Sequence, residues 1–308
     1  MTDIAPVDIA ASEPAENHTQ TAATDAYLTH IIRHPGPAAT DRIQILRTGL
    51  VPLEGTLKVG EDLTSGLHRI FADAGCRGGV AMLKGGACAP FQFVGPSFPT
   101  DDTHAAWYSE TRIPEAGARI VGATAIIGWR DGEAFVHCHG HWQTQDHLPS
   151  MGHVLTSECR VAEPIAISGF GSPTAWFESL PDAETNFTLY TPAGSAHADE
   201  SLGAGMLLRI RPHQDLCHAI ETACREQGIT QARIFGLGSV ISPDFEDAPR
   251  ITCPITEIVL EQGVLVDGMA HIHMRAVDVH GTMRSGKIRR GGNPVCVTAE
   301  LLVLTQPA

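Results

Sequence analysis

Two stretches of the chain repeat one succession of hydrophobic and polar positions. Near residue 62 it reads DLTSGLHRIFADAGCRGGVAMLKGG, and near residue 215 it reads DLCHAIETACREQGITQARIFGLGS. Aligned without gaps, Asp62-Leu63 falls on Asp215-Leu216, Leu67 on Ile220 and Gly75 on Gly228. In both, apolar residues recur at helical spacing behind an aspartate suited to capping, a glycine ends the run, and an apolar strand follows. Further on, FVHCHGHW at 135–142 falls on MAHIHMRA at 269–276, and SMGHVL at 150–155 falls on RSGKIR at 284–289. Each half then finishes with an apolar strand, AEPIAI in the first and VTAELLVL in the second. The pattern predicts two copies of one α+β unit. The β-like runs follow one another across Gly, Pro and Asp turns without intervening helices, so hairpins and an antiparallel sheet are expected instead of a βαβ crossover fold.

The units set the expected organisation. Residues 1–40, rich in Ala, Thr, Pro and Asp, read as a flexible arm in which only Tyr27–Ile32 looks ordered. Residues 41–172 form the first domain. Residues 173–206, with Pro173, Pro181, Pro192 and several glycines, read as a linker, and 207–308 form the second domain. A chain of 308 residues, 43% hydrophobic and 18% charged, carries enough apolar material for a core. The net charge of −14, with 35 acidic against 21 basic residues, argues against a phosphate-binding face, so nucleic acid is not an expected partner. No apolar run approaches the roughly 18 residues of a membrane span. The opening MTDIAPVDIAASEPAENHTQ lacks the basic start and apolar stretch of a secretory signal, and a cytoplasmic location is expected. The eight cysteines form no C-x-x-C pair and read as buried small hydrophobes. A dinucleotide fingerprint, a Walker loop and a nucleophile elbow are all missing.

The chemistry concentrates in histidines. His137, His139, His141, His147 and His153 crowd one short stretch of a chain with 16 histidines. Strand side chains at i and i+2 share a face, so His137, His139 and His141 would form a row. A turn over 143–150 would bring His153 back on the neighbouring antiparallel strand. Three imidazoles with an open fourth position is the arrangement of a catalytic zinc centre, whose water is acidified to a pKa of about 7. The alternative is a set of ordinary core or surface strand histidines. His141 and His147 are either solvated or support the ligands from behind. The second half keeps His271 and His273 but carries Lys287 in the third position. A protonated lysine has no lone pair, so that site is expected to hold no metal. Lys287, Arg289 and Arg290 then form either an anion site or a solvated basic turn.

On these residues the chain resembles the plants-and-prokaryotes-conserved (PPC) domain family. The resemblance lies in Gly60-Glu61-Asp62-Leu63 at the helix start, Lys84-Gly85-Gly86 after the next strand, His137-Cys138-His139, and Gly152-His153-Val154-Leu155. It covers roughly 42–172 and again 207–308. It implies an α+β fold with a bent antiparallel sheet packed around one main helix, present here as two copies. It also implies a homo-oligomer, commonly a trimer, and a metal on His137, His139 and His153. The H-x-H and G-H pattern is also similar to that of acetolactate decarboxylase, a zinc lyase of related fold, whose intervening turn is shorter. The chain departs from the PPC pattern at Lys287 and at Met151, where the family usually has a second glycine. Plant members carry an R-G-R DNA-gripping core, which Arg289-Arg290-Gly291-Gly292 does not match.

The resulting expectation is an enzyme that uses Zn2+ or another divalent transition metal on a small carboxylate. Hydrolytic deamination of an unsaturated amino dicarboxylate of ring-cleavage type comes first, and decarboxylation of an oxo or hydroxy acid second. A non-catalytic DNA- or anion-binding role is the third reading. Glu158 is the candidate proton shuttle, or a plain surface glutamate. Lys84 is placed to hold a substrate carboxylate. Arg112, Arg119 and Arg130 are candidates for the same task, or surface charges. Tyr108 and Trp142 read as core packing first, and as walls of the pocket second.

Overall fold

A computed structural model describes residues 32–145, 149–195 and 203–306. Residues 1–31 of the expected arm, and His147, lie outside them. The first half contains β1 (Ile43–Leu57), α1 (Leu63–Asp73), β2 (Gly78–Lys84), β3 (Ala118–Arg130), β4 (Glu133–Gln143), β5 (Pro149–Val154) and β6 (Ile165–Ser172). A hairpin of β7 (Ala175–Pro181) and β8 (Thr188–Gly194) follows. The second half contains β9 (Gly203–Ile210), α2 (Leu216–Glu226), β10 (Ala232–Val240), β11 (Thr256–Val266), β12 (Met269–Asp278), β13 (Met283–Lys287) and β14 (Val295–Thr305). The architecture is α+β, mostly antiparallel sheet with two helices among the described residues.

In space the first half runs β1-β6-β2-β3-β4-β5, antiparallel throughout. The second runs β9-β14-β10-β11-β12-β13, also antiparallel. Strand β1 serves both. Its first part pairs with β9 and its last part, from Val51, pairs with β6.

Each helix starts on the aspartate that the sequence singles out. The Asp62 carboxylate accepts from the Ser65 amide at 2.8 Å, and Asp215 accepts from His218 at 3.0 Å. The apolar stripe Leu63, Leu67, Ile70 and Phe71 of α1 packs on Ala81, Leu83, Ala125 and Cys138 of its sheet. Leu216, Ile220 and Cys224 of α2 pack on Leu208, Ile234 and Ile258. Strand side chains alternate between faces, so the neighbours of these residues point the other way. Val80 and Ile126 meet Leu207, Leu237 and Leu302 in a layer between the two sheets. The layers therefore run helix, sheet, sheet, helix. His137 pairs with Ile126 and His139 with Thr124 across the β3–β4 hairpin, so the histidine row points into the inter-sheet layer. All eight cysteines are buried and unpaired, as their apolar neighbours suggested.

Two expectations of the sequence need correction. The stretch 173–206, read as a linker from its prolines and glycines, contains the β7–β8 hairpin. Among the described residues β8 pairs with β7 alone, so Pro192 sits on an edge strand, where proline is tolerated. Buried Asp182 fixes this hairpin to the second half, 2.7 Å from Arg209 and 2.5 Å from Arg211. The end of the expected arm is also packed down. Ile32 is buried, the His34 Nε2 lies 2.7 Å from the Cys296 carbonyl, and the Gly36 amide donates to Glu184 at 3.0 Å.

Candidate metal centre

The β4–β5 register places His139 directly opposite His153, with His137 two residues back on the same face. Gly152 lets the short strand Phe93–Val94 lie close on the other side of β5, since a Cβ there would lie 2.5 Å from the Val94 carbonyl oxygen. One ring nitrogen from each of His137, His139 and His153 lies within 4.8 Å of the others. The second half orients two of the rings. The Nδ1 of His137 is 2.5 Å from Oε2 of Glu300 on β14, and the Nδ1 of His139 is 2.9 Å from the Ile258 carbonyl on β11. Both partners are acceptors, so each Nδ1 carries a hydrogen and each Nε2 is turned toward the site. Those two Nε2 atoms are 3.1 Å apart. The Nδ1 of His153 is buried without a partner. Burial, and then the charge of neighbouring histidines, holds His139 and His153 well below the ordinary imidazole range, which keeps both neutral.

This arrangement fits a metal ion. Two Nε2 atoms this close share either a proton or a cation. Tetrahedral zinc with Zn–N distances of about 2.0–2.1 Å sets neighbouring nitrogens about 3.3 Å apart, close to the approach found here. Three imidazoles suit zinc and its transition-metal neighbours.

Beside the cluster lies a cavity of about 60 Å³. That exceeds the roughly 10–15 Å³ a single water needs, and accommodates a few waters or a ligand of a handful of heavy atoms. Trp107 and Tyr108 form part of its wall, on a two-residue strand paired with Pro96–Ser97 and separate from the main sheets. Phe187, from the β7–β8 turn, closes another side. The second half supplies Ile255, Glu257 and Thr298. The Tyr108 ring stands edge-on to His153, with centroids 5.3 Å apart. Its hydroxyl is pushed up by burial and then by Glu257 and Glu300. Tyr108 thus lines the cavity, the second of its two readings from the sequence. Trp142 is core as read, 4.7 Å from both Phe91 and Phe93.

Glu257 and Glu300 were not among the residues that the sequence proposed. Glu300 is 1% exposed, and its second oxygen lies 3.4 Å from the Thr298 hydroxyl. Glu257 is 5% exposed, one of its carboxyl oxygens has no partner, and burial pushes it up to about 8. The available signal was a glutamate inside an apolar strand, as in TEIVL and VTAELLVL.

Most of the expected substrate residues lie elsewhere. Glu158 is exposed in the turn Thr156–Glu158, beyond the end of β5, where Thr156 meets Thr64 of α1 at 2.8 Å. The chain has by then left the histidine face, so Glu158 does not line the cavity. Lys84, at the exposed end of β2, lines a separate open groove with His141 and Glu261. Arg112 lies exposed beside the Phe93 ring, 5.9 Å from its centroid. Arg119 makes an exposed ion pair with Glu163 at 2.6 Å. Arg130 stacks on Phe135 at 3.6 Å and donates to Ser179, and its charge reaches His153 and Tyr108. In the second half His273 sits opposite Lys287 in the register of His139 and His153. Lys287 is 2.7 Å from Glu246, and His273 is 3.1 Å from Glu261. Arg289 pairs with Asp244 at 3.2 Å and Arg290 with Glu221 at 2.6 Å. An anion there would have to displace carboxylates.

No protein-family model matches the chain, and no curated protein matches it. Among solved structures it is similar to a metal-containing protein from Archaeoglobus fulgidus, with 15% identity over 46% of this chain and 93% of that one, TM-score 0.37. A plant- and prokaryote-conserved (PPC) protein from Pyrococcus horikoshii is 14% identical over 51% of this chain and all of its own, TM-score 0.36. A candidate DNA-binding protein from Ralstonia eutropha is 14% identical over 46% of this chain and 90% of its own, TM-score 0.36.

Proposed function

We propose that this chain is a metal-dependent enzyme of hydrolase or lyase type, working on a small molecule in the cavity between its halves. The halves are, on this reading, copies of one unit of which only the first keeps a full ligand set. The observation that carries it is the pair of Nε2 atoms held 3.1 Å apart beside His153, with one ring nitrogen from each of the three histidines within 4.8 Å of the others. His137, His139 and His153 would hold the ion. Such an ion supplies Lewis acidity, the power to polarise a carbonyl or make water acidic.

The chain's own residues do the rest. Glu300 and the Ile258 carbonyl keep the hydrogens of His137 and His139 on Nδ1, so that both Nε2 atoms face the site. Trp107, Tyr108 and Phe187 limit the water that enters. The cavity's size, with Arg130 the one proposed cation whose charge reaches the cluster, fits a small substrate with at most one carboxylate better than an unsaturated dicarboxylate. Hydrolysis, including removal of ammonia, is the reaction we favour.

The test is metal content by elemental mass spectrometry, on wild type and His139→Ala purified without a metal-affinity tag. About one ion per chain, lost in the variant, is expected for a three-histidine site. Absence of metal from both proteins, with none taken up on incubation, refutes the reading. A positive result leads to a screen of small amides, imines, enamines and oxo acids for turnover.

A further inference from the structure

The described buried acids are otherwise neutralised or bonded. Asp182 has Arg209 and Arg211, Glu221 has Arg290, Asp244 has Arg289, and Glu300 has His137. Glu257 is the exception. One of its carboxyl oxygens is buried without a partner, and the residue lines the cavity together with His137, His139 and Tyr108. Burying a polar group without a partner is costly, so a fold that retains one invites a reason. Its position is also tied to the site. Strand β11 gives the Ile258 carbonyl to His139 and, one residue earlier, the Glu257 side chain to the cavity.

We infer that Glu257 is the acid–base residue of this site, acting on the departing nitrogen or oxygen of a small substrate. The inference rests on the metal-dependent reading above. In the hydrolysis R–X + H2O → R–OH + HX, the C–X bond breaks with its electron pair on X, and X takes the carboxyl proton of Glu257. The C–O bond forms from a water electron pair, and Glu257 takes the proton that the water sheds. The carboxyl ends as it began, and no oxidant or reductant is needed.

The surroundings suit that role. Tyr108, His137, His139 and Cys296 are the titratable groups that line the cavity with Glu257, and Glu300 stands behind His137. None of these side chains is a fixed cation, and burial by itself raises Glu257, to about 8. An ion on the three histidines would act in the opposite direction and lower it. A carboxyl under these two opposed influences is suited to giving up and taking back a proton.

Infrared difference spectroscopy tests this on wild type, Glu257→Gln and Glu257→Asp, with molar acetamide as a small uncharged probe. Gln is the neutral isostere of a protonated carboxyl, so the fold is kept. The carboxyl or carboxylate band of Glu257 is identified as the one missing in Glu257→Gln. Acetamide should shift that band in wild type but not in Glu257→Asp, whose acid is withdrawn by one methylene. A wild-type band unmoved by acetamide overturns the inference. Metal content measured on the same samples is expected to be equal in all three. A wild type without metal refutes the metal reading separately, whatever the band does. With a substrate from the screen, Glu257→Gln should lower kcat about 10²–10⁴-fold with little change in KM.

Discussion

Glu300 offers a sharp test of whether the second half completes the centre. It stands 163 positions from His137 in sequence, yet its carboxylate lies 2.5 Å from that ring's Nδ1. Glu300→Gln keeps an acceptor oxygen of nearly the same shape and removes the charge. A charge-assisted hydrogen bond contributes roughly 1.5–3 kcal/mol against about 1 for a neutral one, so the loss is about 1 kcal/mol. That corresponds to a metal dissociation constant about fivefold higher. Glu300→Ala removes the acceptor altogether and frees the imidazole to turn, for a loss of about 10–100-fold. The assay is a competition titration of zinc against a chromogenic chelator at fixed pH. Glu163→Gln, in an exposed ion pair with Arg119, is the control and should match wild type. If both Glu300 variants bind zinc within about twofold of wild type, the second half does not tune the site and the reasoning is wrong.

Other outcomes follow from the same structure. The double variant His271→Ala/His273→Ala should leave metal content unchanged by elemental analysis, whereas His153→Ala should lower it. Asp182→Asn should cost roughly 3–5 kcal/mol in urea unfolding, because Arg209 and Arg211 lose their buried carboxylate. Burial alone would raise Asp182, but the bonds and charge of the two arginines outweigh it and hold the carboxyl below its ordinary range. That stabilisation is present above the unfolded value of 3.8 and is lost as pH falls through the lower folded value, so the variant's stability should change less than wild type's under acid. Glu257 has the opposite sign. Its folded value is raised from 4.5 to about 8, so stability is full below the first and falls as pH rises toward the second. The slope is at most about 1.4 kcal/mol per pH unit, and thermal unfolding of chelator-treated Glu257→Gln should lack it.

Much of this was legible from local pattern. The spacing of Leu63, Leu67 and Ile70 behind Asp62 marks a helix, and the i, i+2 row of His137 and His139 marks one strand face. The glycine before His153 marks a returning strand, and the structure sets it in register. What escaped was set by distant contacts. Glu257 and Glu300 reach the site from β11 and β14 of the other half, and nothing in their local sequence names His139 or His137 as neighbours. Glu158 was reasonable by distance along the chain, but β5 ends at Val154 and the following turn leaves the histidine face. Lys84 is near the sheet edge but in another groove. The hairpin at 175–194 escaped because composition outweighed pattern. Proline and glycine count as loop residues, although AWFESLP and TLYTPAG pair along their whole length.

The second half's lack of a histidine triplet and its hold on the first belong together. At the aligned positions its Lys287 is paired with Glu246 and its His273 with Glu261, so it is poorly placed to hold a divalent ion. On the face that meets the first sheet it instead presents Glu300, the Ile258 carbonyl and Glu257. A unit facing solvent on that side would leave His137 and His139 free to rotate and the cavity wet. Packing Leu207, Leu237 and Leu302 against Val80 and Ile126 excludes water from the layer that holds the histidines. In that drier layer the bonds of Glu300 and Ile258 to the rings are stronger, and burial raises the unpaired Glu257 above its ordinary range. One half carries the three histidines, and the other fixes where two of the rings point and how dry their surroundings are. Neither arrangement is present in either half by itself.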